Sequence, residues 1–305
     1  MVPPVSFDVV SGDVNGSENK GGGRFVNLGC GSRHHPTWLN IDRWVPDSSI
    51  QGHDLRKGIP LPDESADVIY HSHVLEHFDR DSGREFLRDC FRVLKPTGVV
   101  RVVVPDLEKI VSLYLKALQE SVHGSQEWMR NYEWLMLEMY DQAVREKQGG
   151  GVTDYFRKGL IPNLDFVVER VGAVTVQRLT QALRRETGEQ TQRRQKSMFP
   201  RILKRLLRIP VSAKEILCRT LLGPQDYHAL EVGRFRQSGE VHKWMYDRFS
   251  LKELLQEVGF SHPHECLASE SGIPGWKDFH LDTEPDGTSY KPDSLYMEAV
   301  KIESA

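Results

Sequence analysis

The residues best suited to chemistry lie in the first third of the chain. Val26-Asn27-Leu28-Gly29-Cys30-Gly31-Ser32 is an apolar run that breaks into Gly-x-Gly. Glycines at a strand end let the backbone approach a ligand closely, because no Cβ stands in the way. Trp38-Leu39-Asn40-Ile41-Asp42 then ends on a carboxylate that can accept hydrogen bonds from both hydroxyls of a ribose. Asp54, in Gly52-His53-Asp54-Leu55, can meet an adenine amino group. The plainer readings are an ordinary tight turn, a turn residue and a solvated loop acid. His71, His73 and His77 follow a third apolar run, and His242 opens His242-Lys243-Trp244-Met245-Tyr246-Asp247. Imidazole is the side chain best matched to proton removal near neutral pH. His71 and His73 lie two apart at a strand-to-helix junction, where either can face a cleft, and His242 can serve as base or acceptor ligand. His77, beside Glu76, suits capping or packing. For all of them the plainer reading is hydrogen bonding that fixes the junction. Ser269-Glu270-Ser271 and Asp282 can add hydrogen bonds to an acceptor or simply shape loops. No metal site is expected: His34-His35 is the only adjacent histidine pair and has no carboxylate at helical spacing.

These residues need a scaffold. Phe25–Leu28, Trp38–Asp42 and Ala66–Tyr70 read as short strands, and Val99–Val104 as a strand buried on both faces. Phe86, Leu87, Cys90, Phe91 and Leu94 share one side of a helix over 79–94, stopped at Lys95-Pro96-Thr97-Gly98. This alternation predicts a parallel sheet with helices on both faces. Residues 107–240 break the rhythm, with helices expected over 107–121, 125–147, 172–186 and 199–208. A helix capped by Ser250 and strands near 262–268 and 294–301 complete the pattern. The expected organisation is a flexible tail over 1–22, a cofactor-binding half over 23–106, a helical insertion or lid over 107–240, and a C-terminal completion over 241–305.

A dinucleotide site needs Gly-x-Gly-x-x-Gly, but His34 occupies the third position. The short span to the second strand leaves little room for a helix to cradle pyrophosphate. S-adenosylmethionine has no phosphate and needs no such cradle. Residues 24–106 resemble class I methyltransferases of the type 11 group, through VNLGCGS, WLNID, HDLRKGIPLPDESADVIYHSHVLEHF and RVLKPTGVVRVVVPDL. Asn27 stands where that group usually has an acid, and Arg33 where it has a third glycine. The stretches HKWMYDRFSLKELLQEVGF and ASESGIPGWKDFHLDTEPDGTSYKPDSLYMEAVK are similar to bacterial methyltransferases associated with surface-glycan synthesis. The resemblance covers 24–106 and 242–301. It implies a doubly wound α/β fold with a mostly parallel seven-stranded sheet, interrupted by the helical insertion. It further implies S-adenosyl-L-methionine as cofactor. Gly29 and Gly31 would line its methionine part, with Asn27 near the amino group, Asp42 on the ribose, and Asp54 and Leu55 flanking the adenine. His71, Ser72 and His73 would lie near the sulfonium.

The activity this implies is O-methylation of a saccharide or other small hydroxylated acceptor. An NAD-dependent sugar-modifying enzyme and a non-catalytic protein that binds S-adenosylmethionine are the alternatives. The net charge of −3 gives no electrostatic case for a nucleic-acid partner. Cys30, Cys90, Cys218 and Cys266 form neither a zinc pair nor a redox pair and read as reduced thiols in a cytoplasmic protein. Residues 184–208 carry nine basic side chains against two acidic. Phe199, Ile202, Leu203, Leu206 and Leu207 recur there at helical spacing, so 199–208 can lie against the inner membrane face, or pack on the domain with its charges solvated.

Overall fold

The computed structural model describes residues 23–302 except Asp47 and 196–208, with backbone alone over 186–195 and 209–214. The expected tail over 1–22 and the basic segment 199–208 lie outside the described residues.

Seven strands form one sheet in the order β3-β2-β1-β4-β5-β7-β6. They are β1 (Phe25–Leu28), β2 (Leu39–Asp42), β3 (Ile50–Gly52), β4 (Ala66–Ser72), β5 (Leu94–Pro105), β6 (Ser261–Glu265) and β7 (Ser294–Val300). The first five run parallel, and β7 runs antiparallel to both β5 and β6. This is the doubly wound class I methyltransferase sheet. The chain winds outward from β1 to β3, then crosses to β4 on the other side of β1. The carboxyl ends of β1 and β4 therefore flank a switch point, where open α/β sheets bind ligands.

Period-two alternation sorts the side chains of the central strands into two cores. Val100, Val102 and Val104 of β5 face α1 (Arg80–Val93) and pack with Leu28, Ile41, Ile69 and Leu87. Val103, Tyr70 and Val68 face the other way, against Trp38, Trp276 and Leu281. No helix joins β1 to β2. The face such a helix would cover is closed by aromatic edges instead: Trp38 meets Phe25 at 5.1 Å and Phe279 at 5.1 Å between ring centroids.

Helices α2 (Leu107–Val122) and α3 (Gln126–Met136) follow β5, and α3 runs into a π turn over Leu137–Asp141 and the single turn α4 (Gln142–Val144). Then come α5 (Gly150–Arg157), α6 (Leu164–Val171), α7 (Ala173–Gln195) and α8 (Ile209–Arg236), the last kinked at Gly223. Trp134, Tyr155, Phe156, Val167 and Val176 give this helical part a core of its own. The chain returns to the sheet through α9 (Arg248–Val258). Its cap is Asp247, which accepts from the Ser250 amide at 2.8 Å, so Ser250 is the third helical residue of a capping box and not the cap itself. The turn α10 (Trp276–Phe279) then leads to β7. No helix among the described residues is long and apolar enough to cross a membrane.

Candidate active site

The glycine corner is built as its spacing suggests. Gly29 leaves β1 at φ +65°, and a Cβ there would lie 2.4 Å from a Val74 methyl. Gly31, at φ +53°, faces open space. Its amide donates to Asp42 Oδ2 at 2.8 Å, while the Trp44 amide donates to Oδ1 at 2.7 Å. Two backbone amides thus fix the Asp42 carboxylate, and each oxygen keeps a lone pair for a ligand hydroxyl. Asp54 caps the short turn Leu55–Lys57, and its two oxygens accept from Arg56 at 2.8 and 2.6 Å. The Arg56 hydrogen bonds hold its carboxyl at about 2.

Two cavities meet at this corner. One, of about 240 Å³, is bordered by Asn27, Gly29, Gly31, Ser72, His73 and Lys291. The other, of about 260 Å³, is bordered by Gly29, Asp42, Asp54, Leu55, His73 and Phe78. Of the residues expected at the cofactor, Asn27, Gly29, Gly31, Asp42, Asp54, Leu55, Ser72 and His73 border one or the other, and His71 borders neither. Asn27 is buried opposite Asn40 on the neighbouring strand. Its Nδ2 donates to the Arg33 carbonyl at 3.0 Å and to Asn40 Oδ1 at 3.3 Å, and its Oδ1 has no partner. An unpaired buried oxygen beside a cavity suits a ligand ammonium. Lys291 brings positive charge to the same cavity, suited to a carboxylate, and Arg33, 4.2 Å over the Tyr290 ring and paired with Glu284 at 3.3 Å, borders it too. The amino-acid end of S-adenosylmethionine presents both groups, and Asp42 with the second cavity suits its nucleoside. The residues therefore fit this cofactor.

The three histidines expected to act are placed differently. His71 does not reach the cleft. It shares the α1 face of β4 with Ile69, is wholly buried, and lies edge-on to Phe86 at 5.1 Å. Burial pushes its ring down to about 3, and it borders none of the cavities described here. Alternation along β4 turns it from the cleft that its neighbours border. His73 sits at the strand end at φ +56°, a costly conformation for a residue with a Cβ, and its amide donates to the Val103 carbonyl. Its Nε2 lies 2.8 Å from Ser294 Oγ and its Nδ1 3.3 Å from Glu76 Oε1. His242 is buried beneath the helical part, its amide donating to the Gln142 carbonyl at 3.0 Å. Burial pushes both His73 and His242 well below the usual imidazole range.

A third cavity, of about 310 Å³, lies between sheet and helices. Trp134, Leu137, Val152, Val171, Leu179 and Met245 form apolar walls, and His73, His242, Lys291, Asp293, Glu138 and Arg145 are its titratable groups. The π turn that ends α3 supplies Leu137 and Glu138, a common use of such turns. His73 borders all three cavities. Helix α7 also reaches the glycine corner, where Arg178 donates to Ser32 Oγ at 3.1 Å and Tyr290 Oη at 2.8 Å.

Sequence reasoning missed Arg33, Lys291, Tyr290 and Glu76 as site residues. Tyr290 and Lys291 arrive from a loop distant in sequence, and Glu76 is passed over as the neighbour of a histidine. Asp282 and Ser271, considered for an acceptor, are committed elsewhere. Asp282 accepts from Arg101 at 2.8 Å and from Tyr70 Oη at 2.6 Å, and Ser271 donates to Glu298.

Comparison with known proteins agrees with this geometry over the cofactor half. Residues 40–102 match the family described as a methyltransferase domain. A curated protein of Mycolicibacterium smegmatis, named "Probable S-adenosylmethionine-dependent methyltransferase", is 42% identical over 57 residues. That match takes in 17% of this chain and only 21% of the relative. A S-adenosylmethionine-dependent methyltransferase from Archaeoglobus fulgidus aligns over 92% of this chain and 87% of its own, at 12% identity and a TM-score of 0.33. One from Mesorhizobium loti aligns over 92% of each chain at 15% identity and a TM-score of 0.32. The strand order, not these two likenesses, defines the fold. The matched segment carries Asp42, Asp54 and the β4 end, and S-adenosyl-L-methionine is the cofactor that goes with it.

Proposed function

We propose that this chain is a methyltransferase that moves a methyl group from S-adenosylmethionine to a hydroxyl of a small acceptor seated in the third cavity. The carrying observation is that His73 stands where the two cofactor-side cavities and the acceptor-side cavity meet. The bound cofactor supplies an electrophilic methyl on sulfur with a neutral leaving group. The protein's task is then alignment and removal of the hydroxyl proton.

In this reading Asp42 holds the ribose hydroxyls, and Asn27, Arg33 and Lys291 anchor the amino-acid end. His73 takes the acceptor proton on Nε2 once the acceptor hydroxyl displaces Ser294 Oγ, now 2.8 Å away, and Glu76, 3.3 Å from Nδ1, orients the ring. His242 hydrogen-bonds the acceptor from the opposite side. The apolar walls from α3, α5 and α7 favour an acceptor that joins hydroxyls to an apolar body. A saccharide carrying an acyl or aromatic group meets that description, as does a hydroxylated ring compound. Work on a lipid-linked saccharide would also suit the basic segment 199–208 as a contact with the inner membrane face.

The test is release of S-adenosylhomocysteine over a panel of nucleotide sugars, lipid-linked glycans and phenols. Turnover is expected on at least one hydroxylated acceptor. His73→Ala should lower kcat by about 10²–10⁴-fold, the usual worth of a positioned base, with the cofactor Kd almost unchanged. Equal turnover by wild type and His73→Ala contradicts the assignment.

A further inference from the structure

We infer that Glu76, His77 and His242 form a binding site for a divalent first-row transition cation, a site no sequence motif announces. One ligand atom from each lies within 4.8 Å of the others. A point therefore exists no more than about 2.8 Å from all three (4.8 Å divided by √3), and side-chain movement of under about 1 Å reaches the roughly 2.0–2.2 Å of metal–imidazole and metal–carboxylate bonds.

The three groups are held as ligands are held. His77 Nδ1 lies 3.2 Å from the Val241 carbonyl and donates to it, which leaves the Nε2 lone pair free. That second hydrogen bond to a carbonyl is the usual support of a metal-binding histidine. The two chain segments are clamped together: the amides of Lys243 and Trp244 both donate to the Glu76 carbonyl, at 2.7 and 3.2 Å. The His77 and His242 rings stand edge-on with centroids 4.8 Å apart.

The Glu76 side chain supplies the independent observation. It is wholly buried; Oε2 has no partner, and Oε1 has only ion-pair contacts, 3.3 Å from His73 Nδ1 and 3.8 Å from His242 Nε2. A buried carboxylate without hydrogen bonds is costly unless a charge compensates it. Lys291 is a cation whose charge already acts on this carboxylate. A cation between the carboxylate and the His77 and His242 rings compensates the carboxylate and uses a lone pair from each ring.

Two imidazoles and one carboxylate select zinc, manganese, iron or cobalt over magnesium or calcium, which prefer all-oxygen shells. Three protein ligands leave coordination positions open, as in catalytic metal centres. His242 borders the acceptor-side cavity, so an open position on that side can take an acceptor hydroxyl and ease its loss of a proton. That role rests on the methyltransferase reading; cation binding itself does not.

The test uses the full chain, free of any affinity tag and stripped with a chelator, then titrated with Co²⁺ while visible absorption and metal content are followed. One Co²⁺ per chain is expected, with the absorption bands of a low-symmetry nitrogen–oxygen site. Affinity should fall at least about tenfold in E76Q and in H242A, and stay unchanged in H264A, which alters an exposed histidine. Thermal melts of the stripped proteins establish that each variant folds; the near-isosteric E76Q carries the test if H242A does not. Substoichiometric binding by wild type overturns the inference, as does equal binding by wild type and E76Q, which would leave Glu76 a mere counter-charge to nearby Lys291. S-adenosylmethionine affinity measured on the same samples separates the two ideas. Cofactor binding without Co²⁺ removes only the metal, and Co²⁺ binding without cofactor removes only the methyltransferase reading.

Discussion

Two glycines two residues apart do different work. Gly29 avoids a clash with Val74, whereas Gly31 leaves room in a cavity. Gly29→Ala should therefore cost about 1–3 kcal/mol of stability, the usual cost of forcing a strained, crowded backbone position, measured by urea unfolding. Gly31→Ala, also left-handed at φ +53° but with no atom in the way, should cost only the backbone strain of about 1 kcal/mol and lose cofactor affinity, because its methyl group projects into the binding space. Equal stability losses in the two variants would contradict this division. That the glycines, Asp42 and Asp54 converge on one corner is legible in the sequence, because strand ends are local features. The assignment of the histidines was not, since a one-residue difference along β4 decides between core and cleft. His71 and His73 differ by two in sequence, yet the left-handed turn at His73 ends the alternation that buries His71.

Among the elements, β5 and β7 are joined by more than their ladder. Arg101, wholly buried on β5, is paired in register with Glu298 of β7 and lies 2.6 Å from its carboxylate. It reaches Asp282 at 2.8 Å and packs 4.4 Å from the Trp276 ring. This cluster occupies the sheet face that lacks a first helix, and ties down the loops that cover it. Arg101→Leu would leave two buried carboxylates without their cation. It should destabilise the fold by about 3–5 kcal/mol in urea unfolding. A loss under about 1 kcal/mol would show that the cover is held by its aromatic packing alone. The strands and α1 could be read from the sequence because their apolar periods are strong. Helix α5 could not: it opens on Gly150 and Gly151, poor helix formers that Asp141 packs against directly. Tertiary contact overrides propensity there. Sequence alone misplaces the cap of α9 by three residues because Asp247 and Ser250 are both good capping types, and only their reciprocal hydrogen bonds decide between them.

The molecule as a whole divides the labour between its sheet and its helical insertion. The carboxyl ends of β1, β2 and β4 shape the cofactor side, and the helices after β5 roof a separate cavity with apolar walls. The sheet and its interruption were visible in the sequence, since a parallel sheet writes itself in alternating apolar segments. The meeting of Glu76 and His77 with His242 was not, because it depends on how a long insertion returns to the sheet. The same holds for Lys291, which the loop before β7 carries to the border of two cavities. The proposed chemistry depends on the corner formed by Gly29, Gly31 and Asp42 holding S-adenosylmethionine. Calorimetry on wild type and Asp42→Ala, with S-adenosylmethionine and with NAD, tests that most directly. The expected result is one site for S-adenosylmethionine, no comparable binding of NAD, and about a 10–100-fold loss of affinity in Asp42→Ala, from charged hydrogen bonds worth roughly 1.5–3 kcal/mol. Tight binding that survives Asp42→Ala unchanged, or preference for NAD, would contradict the account.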